Sequence, residues 1–218
     1  MLYMISRLGM RNSFEDRLHV TFSKIKKYNI VYADPPWTYN DKALSGSRGA
    51  GCKYDLMTLD EICALPVGEI TDDNCALFLW VTMPQLPNAF RVIQEWGFTY
   101  KTCAFTWVKT NKKAHSIAMG MGNYTRGNAE LVLLGTKGKI KRESASVSSV
   151  IIAPRDAHSK KPNRVRNKIV ELLGDVPRVE LFARQRYIGW DSLGFGVEDI
   201  DIQNSLRLIV QKNKMDLK

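Results

Sequence analysis

Short, almost wholly apolar runs recur along the chain, separated by turn residues or by segments with helical spacing. Runs without polar alternation are typical of strands that are buried on both faces of a sheet. Strands are predicted over residues 28–34, 75–81, 98–108, 131–135, 150–153 and 178–183, and a helix over 86–96. Such alternation of strands and helices predicts an α/β fold, a mostly parallel sheet with helices on both faces.

Two further helices are predicted from capping and ending signals. Thr58 and Glu61 have the spacing of a capping box, which predicts a short helix to Leu65. Pro162 suits a first helical turn and Gly174 the position after the last turn, so the two bracket another helix.

The chain divides by composition into a main domain and two flanking segments. Residues 1–27 have weak periodicity and are predicted to be peripheral, 28–197 form the main domain, and 198–218 are a charge-balanced C-terminal tail. Residues 38–53 and 111–127 are rich in glycine and polar residues and are predicted to be loops.

The tetrapeptide Asp34-Pro35-Pro36-Trp37 follows the first predicted strand. In open α/β sheets, ligands bind beyond the carboxyl ends of strands. Proline has no N–H to donate, so the proline carbonyls and the Asp34 carboxylate are acceptors, while Trp37 has a face for stacking. This combination suits the exocyclic amine of adenine or cytosine. Two alternatives stay open, because Asp-Pro-Pro is common in turns and Trp37 can be a core indole.

Most of the net charge of +10 comes from one part of the sequence, residues 137–168, called the basic segment below. Its ten basic residues exceed its two acidic residues by eight, which is typical of a polyanion binder. We predict that Lys160, Lys161 and Arg164 contact a nucleic-acid substrate, with a solvated basic face as the alternative. The basic residues are Lys137, Lys139, Lys141, Arg142, Arg155, Lys160, Lys161, Arg164, Arg166 and Lys168.

The cysteines and histidines indicate neither disulfides nor a metal site. The four cysteines include no C-x-x-C pair, and the three histidines share no metal-ligand spacing. No apolar run approaches the ~20 residues that cross a bilayer, and none at the N-terminus resembles a signal peptide. We therefore expect a cytoplasmic protein without a metal and without membrane association.

Several segments, in the same order, resemble the N6-adenine methyltransferase family typified by the catalytic subunit of the mRNA N6-adenosine methyltransferase, which has bacterial and phage members. The resemblance extends from Ile30 to Gly194. Its segments are 33–37, Tyr54 with Met57-Thr58, 77–82, 107–111, 124–130 with Gly135 and Lys137, His158-Ser159 with Lys161-Pro162, 180–184, and Gly189-Trp190.

The resemblance implies an S-adenosylmethionine-dependent methyltransferase domain with a Rossmann-like fold. In this family the catalytic motif comes first and the cofactor strand late, which accounts for the lack of an early G-x-G-x-x-G. The resemblance implies that the catalytic residues are Asp34, Pro35, Pro36 and Trp37. It also implies that the cofactor is contacted by Asp34, Lys137, Glu180, Phe182 and Arg184, and that Tyr54 lines the substrate entrance. Surface charge is the alternative for Lys137 and Arg184.

The implied reaction is methyl transfer to the N6 amine of adenine in nucleic acid. Asp34 and the Pro35 carbonyl would hold the amine while its nitrogen attacks the donor methyl. The base must be flipped out or single-stranded, with Trp37 as stacking partner. DNA is preferred over RNA because the chain is compact and lacks an appended RNA-binding module, and a homodimer or heterodimer stays open.

Two competing functions stay open at this point. A non-catalytic nucleic-acid-binding relative is favoured by Phe195, which stands where the family usually has an asparagine that contacts the cofactor, and is disfavoured by the intact tetrapeptide. A cytosine-N4 methyltransferase is disfavoured by Asp34, because serine commonly replaces the aspartate in that class.

Overall fold

The computed structural model describes residues 27–38, 56–114, 116–120, 122, 124–156, 160–198 and 201–215. The predictions for most of the N-terminal segment, for the loop over 38–53 and for Tyr54 lie outside these residues.

Seven strands of the described residues form one sheet in the order β5-β3-β4-β2-β1-β6-β7. Only β4 runs antiparallel to its neighbours, so the prediction of a mostly parallel sheet is confirmed. The six predicted strands are all present, whereas the sequence did not predict β7. Their bounds are β1 Tyr28–Ala33, β2 Thr71–Val81, β3 Thr99–Thr110, β4 Ala129–Lys137, β5 Val150–Pro154, β6 Arg178–Leu181 and β7 Asp191–Leu193.

Helices of the described residues begin and end close to the predicted signals. The capping box forms, because the Thr58 hydroxyl accepts from the Glu61 N–H and the Glu61 carboxylate accepts from the Thr58 N–H. Pro162 lies just before the N-cap, Asn163, rather than in the first turn. The helices are α1 Leu59–Cys63, α2 Leu86–Glu95, α3 Arg164–Leu173, α4 Phe195–Glu198 and α5 Ile202–Met215, with 3₁₀ turns at Val67–Ile70 and Met83–Gln85.

Each face of the sheet is covered by helices, which accounts for the apolar strands without polar alternation. On one face Val31 of β1 lies in a core with Val92 of α2 and Leu206 of α5. On the other face Tyr32 of β1 lies in a core with Val165 of α3. Successive residues of a strand point to opposite faces, so β1 contributes side chains to both cores.

The C-terminal segment is part of the main core and not a peripheral tail. In α5 the buried residues Ile202, Leu206, Ile209 and Val210 follow the i, i+4, i+7, i+8 spacing of one helix face. Lys214 of α5 also forms an ion pair with Glu69, with 2.8 Å between Nζ and Oε2. The helix was not predicted, although this spacing is present in the sequence as a signal for it. None of the described helices has the length and apolarity that a transmembrane helix needs.

Leu206→Ala tests this placement of α5. Leu206 is fully buried, so its truncation is expected to lower the free energy of unfolding by about 2–5 kcal/mol. Urea unfolding followed by circular dichroism measures the decrease. Arg207→Ala, at an exposed position of the same helix, is the control and is expected to change stability by about 0.5 kcal/mol or less. Equal decreases for the two variants would contradict the packing of α5 against the core.

Candidate active site

Asp34 lies at the carboxyl ends of parallel strands in the middle of the sheet. It follows Ala33, the last residue of β1, which pairs with Leu79 of β2 and with Leu181 of β6. Since β3 and β5 run in the same direction as β1, the residues that follow them lie along the same edge. This edge, called the carboxyl edge below, is where open α/β sheets bind ligands.

The two prolines after Asp34 hold their carbonyls in a fixed turn. The Trp37 N–H donates to the Pro35 carbonyl at 2.9 Å, and the Met57 N–H donates to the Pro36 carbonyl at 3.1 Å. A carbonyl oxygen has two lone pairs, so each of these oxygens retains the capacity to accept a second hydrogen bond. The Pro35 carbonyl is thus able to accept from a ligand amine without losing its bond to Trp37.

Trp37 is a core residue in this structure. Only 6% of its surface is exposed, and its indole Nε1–H donates to the Trp80 carbonyl at 3.2 Å. The burial agrees with the packing alternative and not with an open stacking face for a base. The indole instead anchors the turn that carries Pro35 and Pro36 against β2.

Asp34 belongs to a row of alternating charges at the carboxyl edge, called the charge tetrad below. Its Oδ2 lies 2.9 Å from Lys161 Nζ, which lies 3.3 Å from Glu130 Oε2. The other carboxylate oxygen of Glu130 lies 2.5 Å from Lys109 Nζ. Two carboxylates and two ammonium groups balance each other, and the Asp34 side chain, 24% exposed, stays within reach of solvent.

Burial and the neighbouring charges of the tetrad shift the pKa values of its members in opposite directions. Burial raises the pKa of Asp34 above its ordinary value, and the attraction of Lys161 opposes this rise only in part. For Glu130, burial also raises the pKa, but Lys161 and Lys109 outweigh it and the net pKa is lowered. Burial lowers the pKa of Lys161, yet Asp34 and Glu130 outweigh it, so the net pKa is raised and Lys161 is cationic.

Aromatic rings of the buried strands lie beside both lysines. Lys161 Nζ lies 5.2 Å from the centroid of the Trp80 ring, and Lys109 Nζ lies 5.2 Å from that of Trp107. The two indoles meet edge to face, 6.1 Å between centroids. Cation–π attraction of this kind holds an ammonium group that is partly removed from water, so the rings help to keep the lysines at the site.

The structure separates Lys137 from Asp34 and brings Lys161 to it instead. Lys137 pairs with Cys75 in the register of β4 and β2, four residues back from Leu79, and its ammonium donates to the Thr71 hydroxyl at 3.2 Å. At about 3.3 Å per residue, this places Lys137 about 13 Å from the carboxyl edge. This position does not agree with the prediction that Lys137 contacts a cofactor together with Asp34, and the lysine that contacts Asp34 is Lys161.

The basic segment is likewise divided by the fold. Lys137 and Lys139 lie near Thr71 and Asn74, at the opposite edge of the sheet. Lys160 and Arg164 are exposed after β5, on the side of the carboxyl edge, and Lys160 lies 3.5 Å from Asp156. The segment that is continuous in sequence thus forms two separate basic regions, and only the second lies near Asp34.

The predicted cofactor residues of β6 and its following loop lie next to Asp34. Arg184 is exposed and close enough to Asp34 to oppose, with Lys161, the rise that burial causes in the pKa of that carboxyl. Phe182 has a positive φ of 62°, which turns the chain sharply after the strand. Glu180 is bound through both carboxylate oxygens to the guanidinium of Arg166.

Three residues of this region have no role that the sequence alone predicts. Glu130 is a charged residue directly before the apolar run of β4, and this contrast is the signal that marks it, whereas Lys109 lies in a strand that has several other polar residues. Arg166 belongs to the basic segment in sequence, but it lies in α3 with its side chain buried. No signal in the sequence distinguishes Arg166 from Arg164, which is exposed. The described residues contain no group of three or more side chains able to hold a metal ion.

Comparison with known proteins identifies similar sequences over nearly the whole chain. A family described as MT-A70 matches residues 28–196, from β1 to α4. The chain is 36% identical over 207 residues to the Type II methyltransferase M.MunI of Mycoplasma sp, covering 87% of this chain and 86% of that protein.

Longer relatives match over the same domain. The chain is 30% identical over 192 residues to the N(6)-adenosine-methyltransferase MT-A70-like protein of Drosophila melanogaster. It is 28% identical over 191 residues to the N(6)-adenosine-methyltransferase catalytic subunit METTL3 of Homo sapiens. Each alignment covers 86% of this chain but only 30% or 31% of the relative, so the chain corresponds to about a third of these proteins.

Lys161→Met tests the coupling within the tetrad. Removing the cation that opposes the effect of burial is expected to raise the pKa of Asp34 further, so the carboxyl is protonated up to a higher pH. A carbon-13 NMR titration of the Asp34 carboxyl measures the midpoint. Lys109→Met is the matched control, because Lys109 contacts Glu130 and not Asp34, and it is expected to shift the Asp34 midpoint less. An Asp34 midpoint that is the same in Lys161→Met as in the unmodified chain would contradict the ion pair between Lys161 and Asp34.

Proposed function

The chain belongs to the MT-A70 family, and on that basis we propose that it transfers a methyl group from S-adenosylmethionine to the N6 amine of adenine in DNA. The protein is a methyltransferase, which is the activity named both for the relative of similar length and for the longer relatives. The observation that carries the proposal is the Asp34 carboxylate at the end of the central strand, beside the fixed Pro35 carbonyl and bound to Lys161.

The chemistry requires the amine nitrogen to become a better nucleophile. Its lone pair is delocalised into the adenine ring, so the two N–H bonds must be held out of the ring plane to localise it. Asp34 and the Pro35 carbonyl offer two acceptors next to each other in sequence and fixed by the same turn. They align the nitrogen and stabilise the positive charge that develops on it. The amine proton then leaves to water.

Lys161 occupies one acceptor position of Asp34 without exhausting the carboxylate. Its ammonium lies at Oδ2, and a carboxylate has further acceptor sites on both oxygens. Glu130 holds the same ammonium from the other side, so Lys161 is shared between two acceptors rather than committed to Asp34. Asp34 is thereby kept in place while it retains the capacity to accept from an amine.

The residues at the carboxyl edge fit a donor that carries a carboxylate, a ribose and a sulfonium. When bound, the donor supplies an electrophilic methyl group. Lys161 and Arg184 are the cations that would hold its carboxylate, and Glu180 the acceptor that would hold ribose hydroxyls. Lys137 does not fit, because it lies at the opposite edge.

DNA is proposed over RNA from the extent of the similarity. The alignment with a Type II methyltransferase covers 86% of that protein, whereas the alignments with the adenosine methyltransferases cover only about 30% of theirs. A base within a duplex cannot reach a carboxylate at the edge of a sheet, so the target adenine is flipped out or single-stranded.

Methylation of a DNA oligonucleotide and of an RNA oligonucleotide by the purified chain tests the proposal. The DNA and RNA oligonucleotides have the same sequence, and nucleosides released by digestion are identified by mass spectrometry. We expect N6-methyldeoxyadenosine from DNA, and a decrease in rate of about 10²-fold or more with Asp34→Asn, because the amide lacks the charge that stabilises the amine. Asp60→Asn, at an exposed carboxylate of α1, is the control. Full activity of Asp34→Asn would refute the role of Asp34, product from RNA alone would refute DNA as substrate, and N4-methylcytosine would refute adenine.

The exposed cations near the carboxyl edge generate a second prediction. Lys160→Gln with Arg164→Gln is expected to weaken DNA binding and to reduce the slope of log affinity against log salt by about 0.9 for each phosphate that is no longer neutralised. Fluorescence anisotropy at several salt concentrations measures the slope. Lys101→Gln with Lys139→Gln removes two exposed cations at the opposite edge and is expected to leave the slope unchanged. The opposite pattern would place the DNA on the other edge.

A further inference from the structure

A second buried ion pair lies on the α3 side of the sheet, next to the strand that carries Asp34. Arg166 and Glu180 are each only 7% exposed. Arg166 Nε donates to Glu180 Oε2 at 2.7 Å, and Nη2 donates to the other carboxylate oxygen. These two hydrogen bonds fix the plane of the carboxylate as well as its position.

The same guanidinium also fixes the loop that follows β6. It lies 3.7 Å from the centroid of the Tyr187 ring, close enough for stacking. The Tyr187 hydroxyl donates to Asn163 Oδ1 at 2.9 Å and accepts from the Gln185 amide at 2.5 Å. Arg166 therefore joins α3 both to β6 and to the loop that begins at Arg184.

These side chains adjoin the charge tetrad through the buried face of β1. Glu180 pairs with Tyr32 in the register of β6 and β1, two residues before Asp34. The Tyr32 ring lies 5.1 Å from the guanidinium carbon of Arg166, and its hydroxyl accepts from Trp80 Nε1 at 2.6 Å. Trp80 is the ring beside Lys161. Arg166 thus supports one side of the region in which Asp34 and Lys161 meet.

We propose that Arg166 is a positioning residue of the methyl-donor site: it holds the Glu180 carboxylate in the orientation that binds the donor. The inference rests on the proposed function, in which Glu180 accepts from the donor ribose. Arg166 occupies one lone pair of each Glu180 oxygen, and each oxygen keeps another for a hydroxyl. Arg166 acts through Glu180 and does not itself contact the reacting atoms.

A purely structural ion pair would have a different signature. Removing one partner of a buried pair destabilises a protein whether or not the pair serves a ligand, so reduced stability alone decides nothing. A positioning role requires weaker donor binding in a variant that is still folded. It also requires that this weakening depends on the presence of Glu180.

The test is calorimetric titration of the full chain with S-adenosylhomocysteine, the demethylated donor. Arg166→Lys keeps the charge but removes the paired hydrogen bonds and the stacking, and we expect its affinity to fall about tenfold or more. With saturating DNA, the KM for S-adenosylmethionine rises by a similar factor, while kcat falls less than about threefold. Arg91→Met removes an arginine from an exposed ion pair with Asp60 and is expected to keep the affinity of the unmodified chain.

A double substitution checks that Arg166 acts through Glu180 and covers the case in which Arg166→Lys does not fold. Glu180→Gln with Arg166→Met removes both buried charges together, and we expect it to bind the ligand about as weakly as Glu180→Gln alone. Unchanged affinity in folded Arg166→Lys, or a double variant much weaker than Glu180→Gln, would overturn the inference alone. No binding by the unmodified chain would overturn the proposed function and the inference with it.

Discussion

The ion pair between Asp34 and Lys161 is the interaction on which the site depends. A carboxylate at the buried end of a central strand has its charged form disfavoured by desolvation, which raises its pKa, and a nearby cation opposes that rise. Lys161 supplies that cation, and Glu130 with Lys109 completes a neutral group of four. Removing one member leaves a partly buried charge without its counterpart, so the four side chains act as a unit.

The sheet explains why these four residues meet although they are far apart in sequence. Asp34 follows β1, Lys109 is near the end of β3, Glu130 is near the start of β4, and Lys161 follows β5. Because β4 is antiparallel to its neighbours, its beginning lies at the edge where β1 and β3 end. The single reversed strand is thus what adds a second carboxylate to the carboxyl edge.

Local features of the sequence were sufficient to predict most of the fold. These features depend only on residues close together in sequence, and the structure contains each of them. They are the apolar strand over 75–81, the capping box at Thr58 and the position of Asp34 after a strand. The helix α5 was missed although its apolar spacing was present, because residues 198–218 were interpreted from their balanced charge alone. The strand β7 has only three residues, too few for any periodicity.

Long-range pairing determined the rest of the site. Lys137 and Lys161 belong to the same basic segment, and only the register of β4 against β2 shows that the first lies at the wrong edge. Likewise, the burial of Trp37 and Arg166 depends on neighbours such as Trp80 and Glu180, which are 43 and 14 residues away in sequence. Residue type indicated what chemistry was available, whereas strand register decided which side chains take part.

The role of Asp34 and Pro35 in holding the amine is open to direct observation in a crystal structure of the chain with an adduct that joins the adenine N6 atom to the methyl donor. We expect the N6 nitrogen to lie about 2.6–3.2 Å from the Asp34 carboxylate, with the Pro35 carbonyl as its second acceptor. An adduct bound elsewhere, with Asp34 still engaged only by Lys161, would contradict it.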